Sequence, residues 1–433
     1  MKEFGAASAT IAQYRQQAAS LLLYQAVLND TVGQAFLALL EALSASKGLT
    51  NERVNCLTAY SQWFQALAST GKSWSDHLLN RILIADNAFT QAAQHLSIDT
   101  LPTPLLQAAQ HDLQILQGLY TLSPVYVSEC VQTACQLPQA PVVWSLVPAA
   151  PMPVDLSKDW SAGVANLMTY YQRHGTGQFG QFRGFRWQQG QLLGIVAPDP
   201  VRLQDLAAYE GPKATLVKNT EFLLAGFNAL NVLLYGSRGA GKSSLVKALL
   251  NEYADRGLRL IEVSKADLYD LPVIVDHLRP QPQKFIVFVD DLSFEEDDDA
   301  FKALKVVLEG GVTQRPQNVV VYATSNRRHL VREFFADRPR PRDADELQSW
   351  DTVQEKLSFC DRFGLTLTFE AADQPTYLKI VHHLAQQAGL KLSADDLDYR
   401  ARQWATRHNG RSGRTARQFI DFLSAELALD SER

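Results

Sequence analysis

Residues 236–243 read GSRGAGKS, and few eight-residue strings restrict what a chain can fold into so severely. The glycines let successive backbone N–H groups converge on phosphate oxygens where a Cβ would intrude, and a following helix turns its positive end to the same anion. Such a loop works only between a buried strand and a helix. The flanks supply both, since NVLLYG before it is an apolar run and SSLVKALL after it has helical texture. The string therefore makes Gly236, Ser237, Arg238, Gly239, Ala240, Gly241 and Ser244 a phosphate cradle, with Lys242 reaching the β- and γ-phosphates and Ser243 placing its hydroxyl on Mg²⁺. The expected ligands are ATP and Mg²⁺.

A P-loop also dictates the company it keeps. After Pro198 and Pro200 the sequence alternates apolar runs with helical stretches, the pattern of a parallel sheet covered on both faces. Five strands are expected, at 231–236, 258–263, 284–291, 318–326 and 365–369. The third, KFIVFVDD, ends in two carboxylates. A P-loop hydrolase needs one acid for the water shell of Mg²⁺, which falls to Asp290, and a second to polarise the attacking water, which falls to Asp291. The acids from Glu295 to Asp299 precede a helix, where negative charge is favoured by the helix dipole. They read as a solvated helix start, with a replacement for Asp291 as the other option.

The remainder is mostly helical. Residues 11–122 are rich in Ala, Leu and Gln with apolar positions three and four apart, punctuated by Pro102, Pro104 and Pro124. A Pro-rich apolar stretch at 140–154 reads as a surface-hugging connector. Residues 173–190 mix glycines with Phe179, Phe182, Phe185, Trp187, Arg183 and Arg186. That mixture fits a strand or hairpin packing its aromatics on the helices better than a platform for stacking bases. Helical periodicity returns after Ala372. The expected division is a mainly helical partner-binding domain over 1–195, an α/β nucleotide-binding domain over 196–372 and a helical lid over 373–433.

Composition excludes some functions. With 46% hydrophobic and 20% charged residues, the 433-residue chain is ordinary globular material. Its net charge of -5 argues against a surface built wholly for nucleic acid or an anionic membrane. Cys56, Cys130, Cys135 and Cys360 form no metal-binding or disulfide spacing and read as buried reduced thiols. No apolar run of signal-peptide or membrane-spanning type is seen, so the expectation is a soluble cytoplasmic protein without a membrane partner.

The order of these features resembles that of the AAA+ ATPases from Pro198 to Leu429. More narrowly, DLAAYEG, YGSRGAGKSSLVKAL, FVDDLSF, VLEGG, YATSNRRHL, DRFGL and GRTARQFI resemble an uncharacterised family of bacterial ATP-binding proteins. The resemblance implies a strand bearing Asn326 between the P-loop strand and the acidic strand, with the Asn326 amide near the γ-phosphate. It implies that Arg362 acts as an arginine finger in a neighbouring subunit's site, which requires a homo-oligomer. Arg414 would be the lid arginine touching nucleotide in its own subunit, with Arg417 in reserve. Tyr209 has two readings, contact with adenine or packing. Where the commoner AAA+ pattern has Asp-Glu, this chain has Asp290-Asp291, which bears on the rate of hydrolysis. Tyr269, where threading relatives carry a pore loop, lacks the aromatic-Gly pair.

These readings converge on an ATPase that couples hydrolysis to conformational change in a protein partner held by the helical domain. Two rivals remain: a slow ATP-dependent assembly switch, and a DNA-associated loader or transposition helper. The second is suggested by Arg327, Arg328, Arg332, Arg338, Arg340, Arg342 and six lid arginines between Tyr399 and Ile420.

Overall fold

A computed structural model describes residues 2–45, 49–146, 152–156, 159–292, 299–309, 316–326, 362–408 and 410–431, in two compact units that meet in sequence at Gln181 and Phe182. Cys360, the acids from Glu295 to Asp298 and the arginines from Arg327 to Arg342 lie outside the described residues.

Two helix starts in the first unit follow prolines, because a residue without an N–H is tolerated only in the first turn. Its helices are α1 (Lys2–Ala19), α2 (Thr31–Ala45), α3 (Thr50–Thr70), α4 (Trp74–Leu83), α5 (Ala88–Ala93), α6 (Thr103–Thr121), α7 (Pro124–Cys135), α8 (Val164–His174) and α9 (Gly177–Gln181). Pro104 stands in the first turn of α6 and Pro124 opens α7. The apolar faces of the helices meet around Phe36, whose ring lies 4.1 Å from that of Trp74, with Trp63 5.8 Å away. Burying each such side chain contributes about 1.5–3 kcal/mol.

Polar groups of Asp112, Tyr24 and Tyr171 are buried with the core and hydrogen-bonded there. The Asp112 carboxylate on α6 accepts the backbone N–H groups of Leu22, Leu23 and Tyr24 at 2.7–3.1 Å, holding the turn after α1. The Tyr24 and Tyr171 hydroxyls lie 3.1 Å apart, and Tyr171 donates onward to the Ile82 carbonyl. Burial raises both phenols far above their usual range, so they remain neutral. Cys56, Cys130 and Cys135 are buried thiols, as their spacing suggested. The Pro-rich connector is pinned along helices: Tyr60 donates to the Val142 carbonyl, and Ser128 to that of Pro141.

The second unit is built on one sheet, and here the sequence reading is corrected: among the described residues the sheet has seven strands, not five. They are β1 (Gly184–Gln188), β2 (Gln191–Ile195), β3 (Val232–Gly236), β4 (Leu258–Val263), β5 (Lys284–Val289), β6 (Val319–Ser325) and β7 (Leu365–Phe369), in the order β2-β1-β4-β5-β6-β3-β7. The five expected strands run parallel, and β6 lies between β5 and β3 as the AAA+ resemblance implies. The two extra strands form a hairpin that turns at Gln189 and Gly190, both at positive φ, and joins the sheet by parallel pairing of β1 with β4.

Alternation explains that placement. Phe185 and Trp187 face inward, the indole N–H donates to Asp270 at 2.9 Å, and outward-facing Arg186 pairs with Glu262 of β4 at 3.0 Å. These aromatics therefore pack within the sheet's own unit. Buried as they are, neither Phe185 nor Trp187 can stack on a base. The hairpin, placed in the N-terminal domain by the sequence reading, belongs to the second unit.

Helices α10 (Glu210–Leu224), α11 (Lys242–Tyr253), α12 (Leu271–Leu278) and α13 (Asp299–Glu309) accompany the sheet. The last three described, α14 (Gln374–Gln387), α15 (Ala394–Arg407) and α16 (Gly413–Ser431), form the expected lid around Tyr377, Val381, Ala401, Ala416 and Ile420. Asp373 caps α14 by accepting the Thr376 N–H at 2.9 Å. Ala208, from the segment entering α10, is buried in the lid core.

Candidate functional site

Parallel strands bring their C-terminal ends to one side of a sheet, and β3, β5 and β6 there deliver Gly236, Asp290 and Asn326. Gly236 closes β3 at φ 140°, and a Cβ on it would sit 1.9 Å from the Phe369 carbonyl oxygen. That carbonyl accepts the Ser237 N–H at 2.9 Å, which locks the loop to the end of β7. Gly239, at φ 72°, accepts the Arg414 N–H of α16 at 3.3 Å, and a Cβ there would crowd Ser412 and Arg414. The glycines thus serve two close approaches, one to a strand and one to the lid.

Lys242 opens α11 and is 6% exposed. Its ammonium donates to the Gly236 and Ser237 carbonyls, each at 2.8 Å, and to Asn326 Oδ1 at 3.3 Å. Burial lowers its pKa, while the carboxylates of Asp290 and Asp291 act in the opposite direction. Ser243 Oγ donates to Asp290 Oδ1 at 2.6 Å. That geometry leaves hydroxyl lone pairs and the second carboxylate oxygen for a hard cation and its water, an oxygen donor set suited to Mg²⁺ bound with a triphosphate. Asp291 stands at φ 51°, and its Oδ1 accepts the Asn326 amide at 2.5 Å.

These groups line a cleft of about 840 Å³. One wall is residues 238–245 with Asp290, Asp291 and Asn326; the other is the lid, contributing Ile380, Leu384, Arg414 and Arg417. The volume is on the scale of sites that enclose ligands of nucleotide size. Tyr209 also lines it, but its ring packs 5.3 Å from that of Phe369 and its hydroxyl donates to the Glu370 carbonyl at 2.7 Å. Burial raises its pKa.

Arg362 is not brought to this cleft. It precedes β7, whose far end, Phe369, pairs with Gly236. The five residues of β7 span roughly 13 Å, so Arg362 lies at the end of the sheet away from its own P-loop. Two groups escaped the sequence reading. One is the Thr324 hydroxyl, which donates to Asp290 Oδ1 and accepts the Asp291 N–H. Its signal was legible, because Thr324 and Asn326 are two apart on a strand and so share a face. The other is the apolar lid wall of Ile380 and Leu384, which no local pattern separates from ordinary core.

The family described as "Protein of unknown function (DUF815)" matches residues 180–427, which takes in the hairpin, the sheet, the cleft and nearly all of the lid. The chain belongs to the DUF815 family. In this member the strand order, the P-loop, the acid-terminated β5 and the helices after β7 have the arrangement expected of an AAA+ module. Solved structures of three variants of RuvB from Thermotoga maritima are similar to 52% of this DUF815 chain and cover 72% of their own, at 13% or 14% identity and TM-scores of 0.32 or 0.33. No curated protein matches it in sequence. Among the described residues, no helix is long and apolar enough to cross a membrane.

Proposed function

We propose that this protein hydrolyses ATP to ADP and phosphate and uses the cycle to change the conformation of a bound partner. The observation that carries the reading is a single connected network, in which Lys242, Asn326, Asp291, Asp290 and Ser243 are linked by hydrogen bonds within one cleft. Lys242 and the P-loop amides bind the triphosphate, and Asn326 orients its terminal phosphate. Asp291 accepts a proton from the attacking water, which approaches in line with the bond to the leaving ADP oxygen. Ser243 and Asp290 would hold Mg²⁺, which supplies charge neutralisation across the β- and γ-phosphates when bound.

Arg362, placed away from its own cleft, is proposed to serve the site of a second copy, so the working unit is a homo-oligomer. Arg414, bonded through its backbone to Gly239, is positioned to sense the triphosphate from the lid and move α16 with nucleotide state. The helical unit is proposed to hold the protein partner. A slow switch stays in view for one reason: Asp291 is a methylene shorter than the glutamate of the commoner pattern.

Mass measurement with and without ATP, with phosphate release by the wild type and Arg362→Ala, tests the shared site. The expected result is an ATP-dependent oligomer and a loss of turnover of about 10³-fold in the variant. A monomer that turns over equally well in both forms sinks it. Asp291→Asn separates catalysis from switching: turnover should fall about 10²-fold or more while nucleotide affinity stays within about threefold.

A further inference from the structure

Asp290 Oδ1 accepts three hydrogen bonds: from Ser243 Oγ at 2.6 Å, from the Asp291 N–H at 3.2 Å and from Thr324 Oγ1. Thr324 is 2% exposed on β6, and its hydroxyl is used in both directions, since it also accepts the Asp291 N–H at 2.9 Å. The backbone around it is fastened too. The Leu292 N–H donates to the Thr324 carbonyl at 2.7 Å, and Ser325 Oγ donates to the Leu292 carbonyl at 2.9 Å. Between these ties sits Asp291, held at φ 51° in the left-handed region that few side chains other than Asn and Asp tolerate.

We propose that Thr324 is a positioning residue for the acid pair, fixing which oxygen of Asp290 is left for the cation's water and holding Asp291 in the left-handed turn that aims its short carboxylate at Asn326. The inference rests on the proposed hydrolysis in the same cleft. Because Oδ1 is saturated by protein donors, Oδ2 of Asp290 is the oxygen left for a metal-bound water. The left-handed turn redirects the Asp291 side chain from β5 toward the end of β6, so that backbone geometry, rather than a longer side chain, brings a carboxylate to Asn326. Thr324 lines the cleft beside the two acids. It acts through the two acids, as groups behind a metal ligand commonly do.

The test uses the full chain with Thr324→Val, which keeps the shape and strand preference but removes the hydroxyl, and Thr324→Ser, which keeps the hydroxyl. Three quantities are read: the kcat and KM for ATP, and the Mg²⁺ concentration that half-saturates its effect on binding of a fluorescent ATP analogue. Thr324→Val is expected to lower kcat about 10- to 100-fold with KM within about threefold, and to raise the Mg²⁺ half-point about tenfold. Thr324→Ser is expected to recover both to within about threefold of wild type. Wild-type kcat and Mg²⁺ dependence in the valine variant overturn the proposal. So does a serine variant as impaired as valine, because the methyl group's packing would then be what matters. If Thr324→Val does not unfold cooperatively, Thr324→Ala carries the same expectations. Should the wild type bind ATP without turnover, the hydrolysis reading fails by itself; the Mg²⁺ half-point then decides the role of Thr324, with no shift overturning it.

Discussion

A single atom separates glycine from alanine at position 236, and there it has nowhere to go. The Cβ would lie 1.9 Å from a carbonyl oxygen of β7, and φ 140° is a conformation side-chain-bearing residues avoid. Gly236→Ala should therefore destabilise the second unit by about 3 kcal/mol or more, measured by chemical denaturation, and weaken nucleotide binding with it. A variant as stable as wild type would show that the loop can pull away from Phe369. The acid pair teaches a related lesson. The letters DD announce two carboxylates, but Asp291's left-handed backbone and the Thr324 hydroxyl decide where they point. Tyr209 shows the limit of the residue-level reading. Its ring lies on Phe369 and its hydroxyl on Glu370, so packing accounts for its contacts in this structure.

At the scale of elements, apolar periodicity was enough to place β3 to β7 and the lid helices, since each is a run whose burial demands follow from its own residues. It was not enough for β1 and β2. GFRWQ alternates inward and outward side chains as any half-buried strand does, and nothing in its letters says which sheet it joins. Pairing with β4, the Arg186–Glu262 contact and the Trp187–Asp270 bond settle that across 76 and 83 residues of sequence. Trp187→Ala should cost the second unit about 3–5 kcal/mol through the lost burial, and a denaturation curve measures it. Nucleotide affinity should stay within about threefold, because Trp187 does not line the cleft. A large loss of affinity with little loss of stability would mean the hairpin bears on the site directly.

For the whole molecule, two units with separate cores predict two unfolding events that respond to different conditions. Saturating ATP should raise only the transition of the second unit, by about 2.7 kcal/mol at a hundred times Kd. Acid should act on the first. His77 of α4 is buried against Asp30, with Nε2 2.8 Å from Oδ2, and burial lowers its pKa below the ordinary 6.5. The unfolded chain then takes up the proton first, so the stability this neutral histidine contributes is present above about pH 6.5 and is lost as pH falls through the lower folded value. Melting between pH 8 and pH 5 should show the first unit weakening, with a shallower slope in His77→Gln. An unchanged slope in that variant would assign the effect to other groups.

What the sequence determined by itself were the features whose physics is local. A phosphate cradle needs small residues at fixed spacing, a parallel strand needs a continuous apolar run, and a helix starts where a proline or a capping side chain allows. From these came the P-loop, the five parallel strands, Asp290 and Asp291, and the helical character of both ends of the chain, while Asn326 was implied by the resemblance to the AAA+ ATPases. Only the tertiary structure decided what depends on groups far apart in sequence: the hairpin's membership of the sheet, the lid's bond to Gly239, and the placing of Arg362 away from its own cleft. The same holds for the hydroxyl of Thr324. Its residue type is unremarkable in a strand, and its importance comes from two carboxylates that the neighbouring strand sets beside it.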